Sequence, residues 1–499
     1  MPRDRVVRVV KELASHGYNA EREAVTLLAN APDTQQAIEL AVETVPEDAL
    51  KLRTEHVRET LADAIENPPV SSGNQTQPPD SESQSPVETK GLHAASRTPT
   101  PANVAGDVTG RSTGTGRYED FVAVFRNRYE QLGSKLRSRV NHRPADAIQS
   151  MSGGTEVAMV GMVNDIRSTA SGHWLVELED TSGTFPWLVM KDRDIAALVD
   201  ELLLDEVVAT EGTLSGDAGI AFVDSLHFPD VPRTYQPSTA DRHVQAALIS
   251  DVHVGSQEFL PEAWSRFTDW LHTEEAETVE YLLIAGDMVE GVGVYPGQDE
   301  ELTVIDVYDQ YEAFAERLKE VPGDIEIVMI PGNHDAVRLA EPQPGFDEEL
   351  RSIMRAHDAR ITSNPSTVTI EGVDVLMYHG VSLDEVIAEL PAEVASYDEP
   401  HKAMAQLLKK RHLAPQFGGR MRIAPEERDH LVIDEVPDVF HCGHVHKIGV
   451  GTYHNVRVIN SGTWQAQTNF QKSVDLVPDV ALAPILDLDT LDVTLRKFQ

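Results

Sequence analysis

Residues 325–335 read Ile-Glu-Ile-Val-Met-Ile-Pro-Gly-Asn-His-Asp. An apolar, β-branched run breaks at Pro331-Gly332 into an amide, an imidazole and a carboxylate. The run has the length and composition of a buried strand. The polar triplet falls on the loop after it, where functional residues concentrate. Four further segments repeat this form. Asp251-Val-His253 follows Val244 to Ile249, and Gly286-Asp287 follows Tyr281 to Ala285. Tyr378-His379-Gly380 follows Val373 to Met377, and Gly443-His-Val-His446 follows Val439 to His441. Val456 to Ile459 is a further strand, and amphipathic stretches alternate with the strands. Residues 242–499 therefore read as a layered α/β domain with its polar groups on strand-end loops.

Those groups suit one chemistry. Hydrolysing a phosphate ester requires neutralised phosphoryl oxygens and a strong nucleophile at neutral pH, and two cations roughly 3.5–4 Å apart supply both. Such a pair needs a bridging carboxylate and several N/O ligands, which suit Mn, Zn or Fe. Asp287, alone after Gly286, is the natural bridge. Asp251, His253, Asp287 and His446 are assigned to one ion. Asp287, Asn333, His379 and His444 are assigned to the other. His334 is read as a general acid beside the ions, with Asp335 holding its tautomer. Gly286, Gly332 and Gly443 would let the backbone turn beneath the ions. Each cluster alone is weak, since a lone His is more often a satisfied core residue and Asn-His-Asp also fits a turn or helix cap. Five in order, each after a strand, are not explained that way. His227, His272, His357, His401 and His441 lack this context and are read as structural. Cys442 is the sole cysteine. It reads as a small buried residue, because hard two-metal sites prefer O and N donors.

The N-terminal half carries no such constellation. Residues 1–65 show helical periodicity, with Val6, Val7, Val10 and Leu13 on one stripe and Ala24, Leu27 and Leu28 on another. Asp33 or Thr34 caps a third helix and Pro46 fits the first turn of a fourth. This small module reads as a docking domain. Residues 66–117 are rich in Ser, Thr, Pro, Gly and Gln and read as a disordered linker. Residues 118–150 read as a helical connector with Phe121, Phe125, Tyr129 and Leu132 on one face. Residues 151–235 switch to period two: three strands, a helix over Asp192 to Leu204, then two strands, which is the layout of an OB-fold barrel. Trp174, Phe185 and Trp187 are candidates for stacking on bases, against the blander reading that they pack the barrel.

The chain has 499 residues, too many for one core. Its net charge is -40, and the acid is spread over every segment. A dense carboxylate surface suits molar salt, where screening shrinks to roughly 3 Å. A halophilic origin is expected, with stability rising as KCl is added. One cysteine and no apolar N-terminal core fit a reducing cytoplasm without a signal peptide. No apolar run approaches the roughly 20 residues of a membrane span.

The ordered motifs resemble the calcineurin-like metallophosphoesterase superfamily across residues 251–446. A narrower likeness rests on three segments. Pro331-Gly-Asn-His-Asp-Ala-Val-Arg338 runs into Ala340-Glu-Pro-Gln-Pro344, Met404 to Pro415 follows, and Pro437 to His446 precedes Asn460-Ser-Gly-Thr-Trp-Gln465. These are similar to the small subunits of archaeal family D DNA polymerases. The resemblance implies a four-layer α/β/β/α phosphoesterase domain, an OB-fold and a small helical domain. It implies a 3′→5′ exonuclease with two divalent ions, Mn first and Zn, Fe or Mg as alternatives. It also implies a large polymerising subunit as partner and a DNA 3′ end as substrate. Arg338, Trp174 and Trp187 are the DNA-contact candidates, and Lys409, Lys410, Arg411, Arg420 and Arg422 could line a strand path. Two other readings stand beside it: a scaffold subunit that retains its ligands incidentally, and a free-standing metallophosphatase or phosphodiesterase.

Overall fold

The computed structural model describes residues 3–46, 49–66 and 99–499. It is a mixed α/β protein with several sheets. The first six-stranded sheet runs Arg360–Ile361, Glu326–Ile330, Val279–Ala285, Gln245–Ile249, Leu482–Asp487, Val493–Lys497 in spatial order. The second runs Ile448–Tyr453, Val456–Ser461, Val439–Cys442, Val373–Met377, Ser366–Ile370, Asn103–Ala105. The strands that precede the polar clusters are parallel within each sheet. Their β-branched composition follows from burial on both sides: all of Val279–Ala285 is buried.

Alternate side chains of each strand enter different cores. Leu248, Leu283, Val328 and Ile330 of the first sheet share one cluster with Val375, Met377, Val439 and Ile459 of the second. On the other side of the first sheet, Ile249, Ile284 and Met329 pack with Trp264 and Phe267 of helix Pro261–Leu271 and with Phe314 of Val307–Leu318. On the other side of the second, Leu376, Phe440 and Val458 pack with Val386 of Leu383–Glu389 and with Met404 and Leu407 of Pro400–Lys410. The sheets thus face each other, and their strand ends open on one crevice.

Five strands close a barrel in the order Glu156–Ser168, Trp174–Asp180, Gly183–Val189, Ala221–His227, Val207–Leu214. The helix expected over 192–204 shrinks to one turn, Ala196–Val199. Asp192 and Leu204, the two ends of the expected helix, sit in turns instead. The barrel, with helix Tyr118–Arg137 packed on it, is locked to the α/β part by buried charge. Arg128 of helix Tyr118–Arg137 donates to Asp429 at 2.8 Å with both side chains at most 1% exposed. Asp429 also meets His412 at 2.9 Å, and Lys410 donates to the Glu201 carbonyl at 2.7 Å. Removing one member leaves the others buried and uncompensated. Asp429→Ala is expected to destabilise the fold by about 3–5 kcal/mol, read as a shift in the denaturation midpoint.

Near the N-terminus, helices Arg3–Ser15, Arg22–Asn30, Thr34–Thr44 and Thr54–Glu66 pack on one core. Asp33 caps the third by accepting from the Gln36 amide at 3.1 Å. Pro46 does not start the fourth, which begins at Thr54, because Lys51–Leu52 first pairs with Asn19–Ala20. Arg22 ties this module to the α/β part through Asp324 at 2.9 Å and the Val279 carbonyl at 2.7 Å. The linker reading needs correction. Residues 67–98 lie outside the described residues, but Asn103–Ala105 extends the second sheet by pairing antiparallel with Ser366–Ile370.

Candidate metal centre

All five strand-end clusters meet in the crevice. Asp251, His253 and His446 place one potential donor atom each within 4.8 Å of one another, and so do Asp287, His379 and His444. His253 Nε2 lies 3.1 Å from His446 Nε2, and His446 Nε2 lies 3.3 Å from Asp251 Oδ1. In the other group His379 Nε2 lies 3.2 Å from Asp287 Oδ2 and 3.0 Å from Asn333 Oδ1. Asp287 also faces His253, at 3.8 Å. Imidazole nitrogens and carboxylate oxygens converging at these separations, almost all buried, could hold divalent cations. A Cys442 ligand does not: its thiol is buried in the strand and burial pushes it well up, away from thiolate.

The backbone is bent to achieve this. Asp251, His253, Asp287, His444 and His446 have φ of 52°, 54°, 53°, 71° and 56°. The left-handed region costs an L-residue roughly 1–2 kcal/mol, and such conformations cluster at functional sites. The glycines act differently from the expectation. Gly286 has φ +92°, but at Gly332 and Gly443 the reason is close approach. A Cβ on Gly332 would lie 2.2 Å from Asp287 Oδ1, and one on Gly443 would lie 2.3 Å from Asp251 Oδ2.

Neighbouring groups aim the imidazoles. His379 Nδ1 lies 2.8 Å from the Ala285 carbonyl, which turns Nε2 to the centre. His253 Nδ1 is 2.9 Å from Glu290 Oε2, close but not aligned for a hydrogen bond. His444 Nε2 is 3.3 Å from Asp384 Oδ2, and the His444 amide donates to Asp251 Oδ2 at 2.9 Å. The Gln471 side-chain amide reaches His446 Nδ1 at 2.8 Å. Glu290, Asp384 and Gln471 were not among the expected site residues. Glu290 carried one sequence signal, its place three residues after Asp287.

His334 and Asp335 diverge. The His334 amide donates to Asp287 Oδ1 at 2.8 Å, and its Nδ1 lies 2.7 Å from the Glu290 carbonyl. Asp335 does not hold this ring. Its carboxylate accepts from Tyr311 Oη at 2.9 Å and from the Gly332 amide at 2.8 Å, so it braces the loop from the far side. Burial and the charge of Asp287 lift it to about 7.

Residues 246–448 match the family of DNA polymerase alpha/epsilon B-subunits. A DNA polymerase II small subunit of Halobacterium salinarum is 66% identical over 507 aligned residues, covering 100% of both chains. The chain belongs to the DNA polymerase II small-subunit family, that of the archaeal family D polymerases. The Archaeoglobus fulgidus member is 45% identical over 381 residues, covering 74% of this chain and 76% of that one. A solved archaeal phosphodiesterase aligns with 51% of this chain and 99% of its own at 14% identity and a TM-score of 0.28, a likeness that fixes neither fold nor activity.

In this family member the expected DNA-contact residues are occupied otherwise. Trp187 is fully buried in the barrel, edge-on to Phe185 with centroids 5.9 Å apart, because inward positions of a small barrel must be filled. Trp174 is half-buried against the same core. Arg338 donates to Ser112, to the Ala340 and Pro342 carbonyls and to Glu426, holding the segment after Asp335 in place. Lys409 and Lys410 join the barrel through Glu201. Among the described residues, no helix is long and apolar enough to cross a membrane.

The electrostatics set a pH dependence. Burial opposes ionisation of Asp251, but hydrogen bonding to His253 and His446 outweighs it and holds the carboxyl well below its usual range. Burial disfavours a charged His379, yet the Asp287 carboxylate lifts the imidazole from 6.5 to about 10. Its stabilisation of the metal-free protein is thus complete below pH 6.5 and fades as pH rises through about 10. A metal ligand must be neutral imidazole, so binding displaces that proton. The affinity of any divalent ion taken up through His379 should therefore rise with pH, about tenfold per unit for each proton displaced. Calorimetric titration between about pH 6.5 and 8 in two buffers of different ionisation enthalpy reads both affinity and proton release.

Proposed function

We infer that this chain is a metal-dependent 3′→5′ exodeoxyribonuclease that edits primer ends for a large polymerising subunit. The observation that carries it is the pair of buried donor groups, Asp251-His253-His446 and Asp287-His379-His444, joined by Asp287. The reading takes the paired sheets and their flanking helices as a four-layer α/β/β/α phosphoesterase domain over 242–499. It takes the closed barrel within 151–235 as an OB-fold, 118–150 as a connector and 1–65 as a docking domain. The partner follows from the relatives' name, a small subunit of DNA polymerase II.

Asp251, His253, Asp287 and His446 would hold one divalent ion, and Asp287, Asn333, His379 and His444 a second, with manganese the first expectation. When bound, two such ions polarise a phosphoryl group and acidify water. The protein's own groups do the rest. The Asp287 carboxylate fixes the His334 amide at 2.8 Å and thereby the position of the ring. With Nδ1–H donating to the Glu290 carbonyl at 2.7 Å, Nε2 is bare in the neutral ring, so a proton for transfer must be carried at Nε2 by the imidazolium. His334 lines the open cavity, where that proton reaches a leaving oxygen.

The test is release of nucleotides from a mismatched primer end by the complex with the large subunit in manganese. His334→Ala should lower the rate about 10²–10⁴-fold with bound metal unchanged. A fully assembled complex that releases nothing with Mn, Mg, Zn or Fe would make the chain a scaffold. Hydrolysis confined to p-nitrophenyl esters would make it a free-standing phosphoesterase.

A further inference from the structure

The cavity over His253, His334 and His446 measures about 600 Å³. One wall of it is apolar and faces solvent. Phe470, Val474 and Val477 are 66%, 54% and 62% exposed. Folding does not account for three large apolar side chains gathered at the mouth of a charged site.

This wall is built rigidly onto the centre. Thr468 caps the short helix Asn469–Ser473, accepting from the Gln471 amide at 3.2 Å, while Gln471 accepts from the Thr468 amide at 3.1 Å. The same Gln471 touches His446 at 2.8 Å. One turn of chain therefore braces a ligand imidazole inward and holds the Phe470 ring outward. Across the cavity stands Tyr295, whose hydroxyl lies 3.2 Å from both Glu290 and Glu301 and whose ring meets His334 edge-on at 6.4 Å. Two cations, Arg420 and Lys447, line the same space. Lys447 is paired with Asp479 at 3.4 Å, while Arg420 is exposed on the rim.

We propose that Phe470, flanked by Val474 and Val477, is the platform on which unpaired bases of a single-stranded 3′ end stack while their backbone enters the metal centre. This rests on the exonuclease reading above. The wall opens onto the ligand imidazoles, so a strand whose phosphate reaches His334 lays its next bases there. An aromatic face beside aliphatic side chains suits the π-face of any base. A base inside a duplex is stacked on both sides and cannot use it, so the platform favours frayed or mismatched ends. Arg420 on the rim answers the phosphates. An apolar segment of the large subunit is the competing occupant, and the test separates the two.

Wild type, Phe470→Ala and Phe470→Trp full-length chains, each with the large subunit, are compared in three measurements. These are binding of a fluorescent oligothymidylate without manganese, its hydrolysis with manganese, and hydrolysis of bis(p-nitrophenyl) phosphate. Phe470→Ala should bind the oligonucleotide about tenfold more weakly and lose about tenfold in kcat/KM on it, with Phe470→Trp restoring both. The small diester carries no neighbouring base, only its own nitrophenyl rings, and should lose less than the oligonucleotide in Phe470→Ala. Unchanged oligonucleotide binding in Phe470→Ala overturns the proposal, as does an equal loss on both substrates. Release of the large subunit with oligonucleotide binding retained assigns the wall to protein contact and also overturns it. If wild type hydrolyses neither substrate, the exonuclease reading fails, and the ratio of binding constants still decides for or against the platform.

Discussion

Asp287→Asn should abolish hydrolysis, by at least about 10³-fold in kcat/KM, while leaving the chain folded. The amide keeps the shape of the carboxylate, and its oxygen can still accept from the His334 amide, now at 2.8 Å. What disappears is the charge. Burial should lift the Asp287 carboxyl, but the His379 imidazole prevails and holds it well below its usual range. Reciprocally, Asp287 is the largest influence raising His379 to about 10 against burial. In Asp287→Asn the His379 imidazole should therefore titrate at lower pH in the metal-free protein, visible by NMR. A bridging position needs a ligand negative enough to sit between two cations, and an amide is not. Bound manganese should fall with activity. Retained activity in this variant would mean the reaction does not pass through Asp287.

Gly332→Ala should be nearly as damaging through a single methyl. The new Cβ would lie 2.2 Å from Asp287 Oδ1, 2.7 Å from the Asp287 amide and 2.8 Å from His379 Cε1. Two of these are parts of the centre and one is backbone, so none can swing aside. The Asp287 carboxylate is also anchored by the His334 amide, so moving it moves His334 as well. A displacement on the order of 1 Å costs about 10²-fold in rate. The overpacking should cost about 1–3 kcal/mol in stability. Both are read on one preparation, from hydrolysis rate and denaturation midpoint. Gly443→Ala, whose Cβ would meet Asp251 Oδ2 at 2.3 Å, offers the matching test on the other donor group.

Much of the centre was legible because buried parallel strands write themselves as β-branched runs. The residues that follow such runs are placed by the sheet register. Ile284 pairs with Ile249 and Ala285 with Ile330, so Asp251, Asp287 and Asn333 arrive at one level. The convergence of the second sheet onto the first was not written in any local pattern. It follows from the shared cluster of Leu283, Val328, Val375 and Ile459.

What was misread turns on distant partners. Arg338 sits beside the Asn-His-Asp motif, yet Ser112 and Glu426 from remote segments occupy it. Trp187 is flanked by the half-buried Pro186 and Leu188, and the closed barrel turns its face inward, away from any base. Asp335 adjoins His334 in sequence while facing Tyr311 across the loop. Residues 103–105 lack strand composition, and the neighbouring Thr367–Thr369 backbone supplies their order. Glu290 and Asp384 look like any surface acids in a chain carrying 82 of them, and only the fold reveals which face an imidazole.

On the proposed function, the donor groups Asp251-His253-His446 and Asp287-His379-His444 hold a pair of ions that share Asp287. Anomalous diffraction from crystals of the chain grown with manganese tests it most directly. Two peaks are expected, one among Asp251, His253 and His446 and one among Asp287, His379 and His444, with the Asp287 carboxylate touching both. Density for no ion there, or for ions coordinated by other side chains while these imidazoles stay apart, contradicts it.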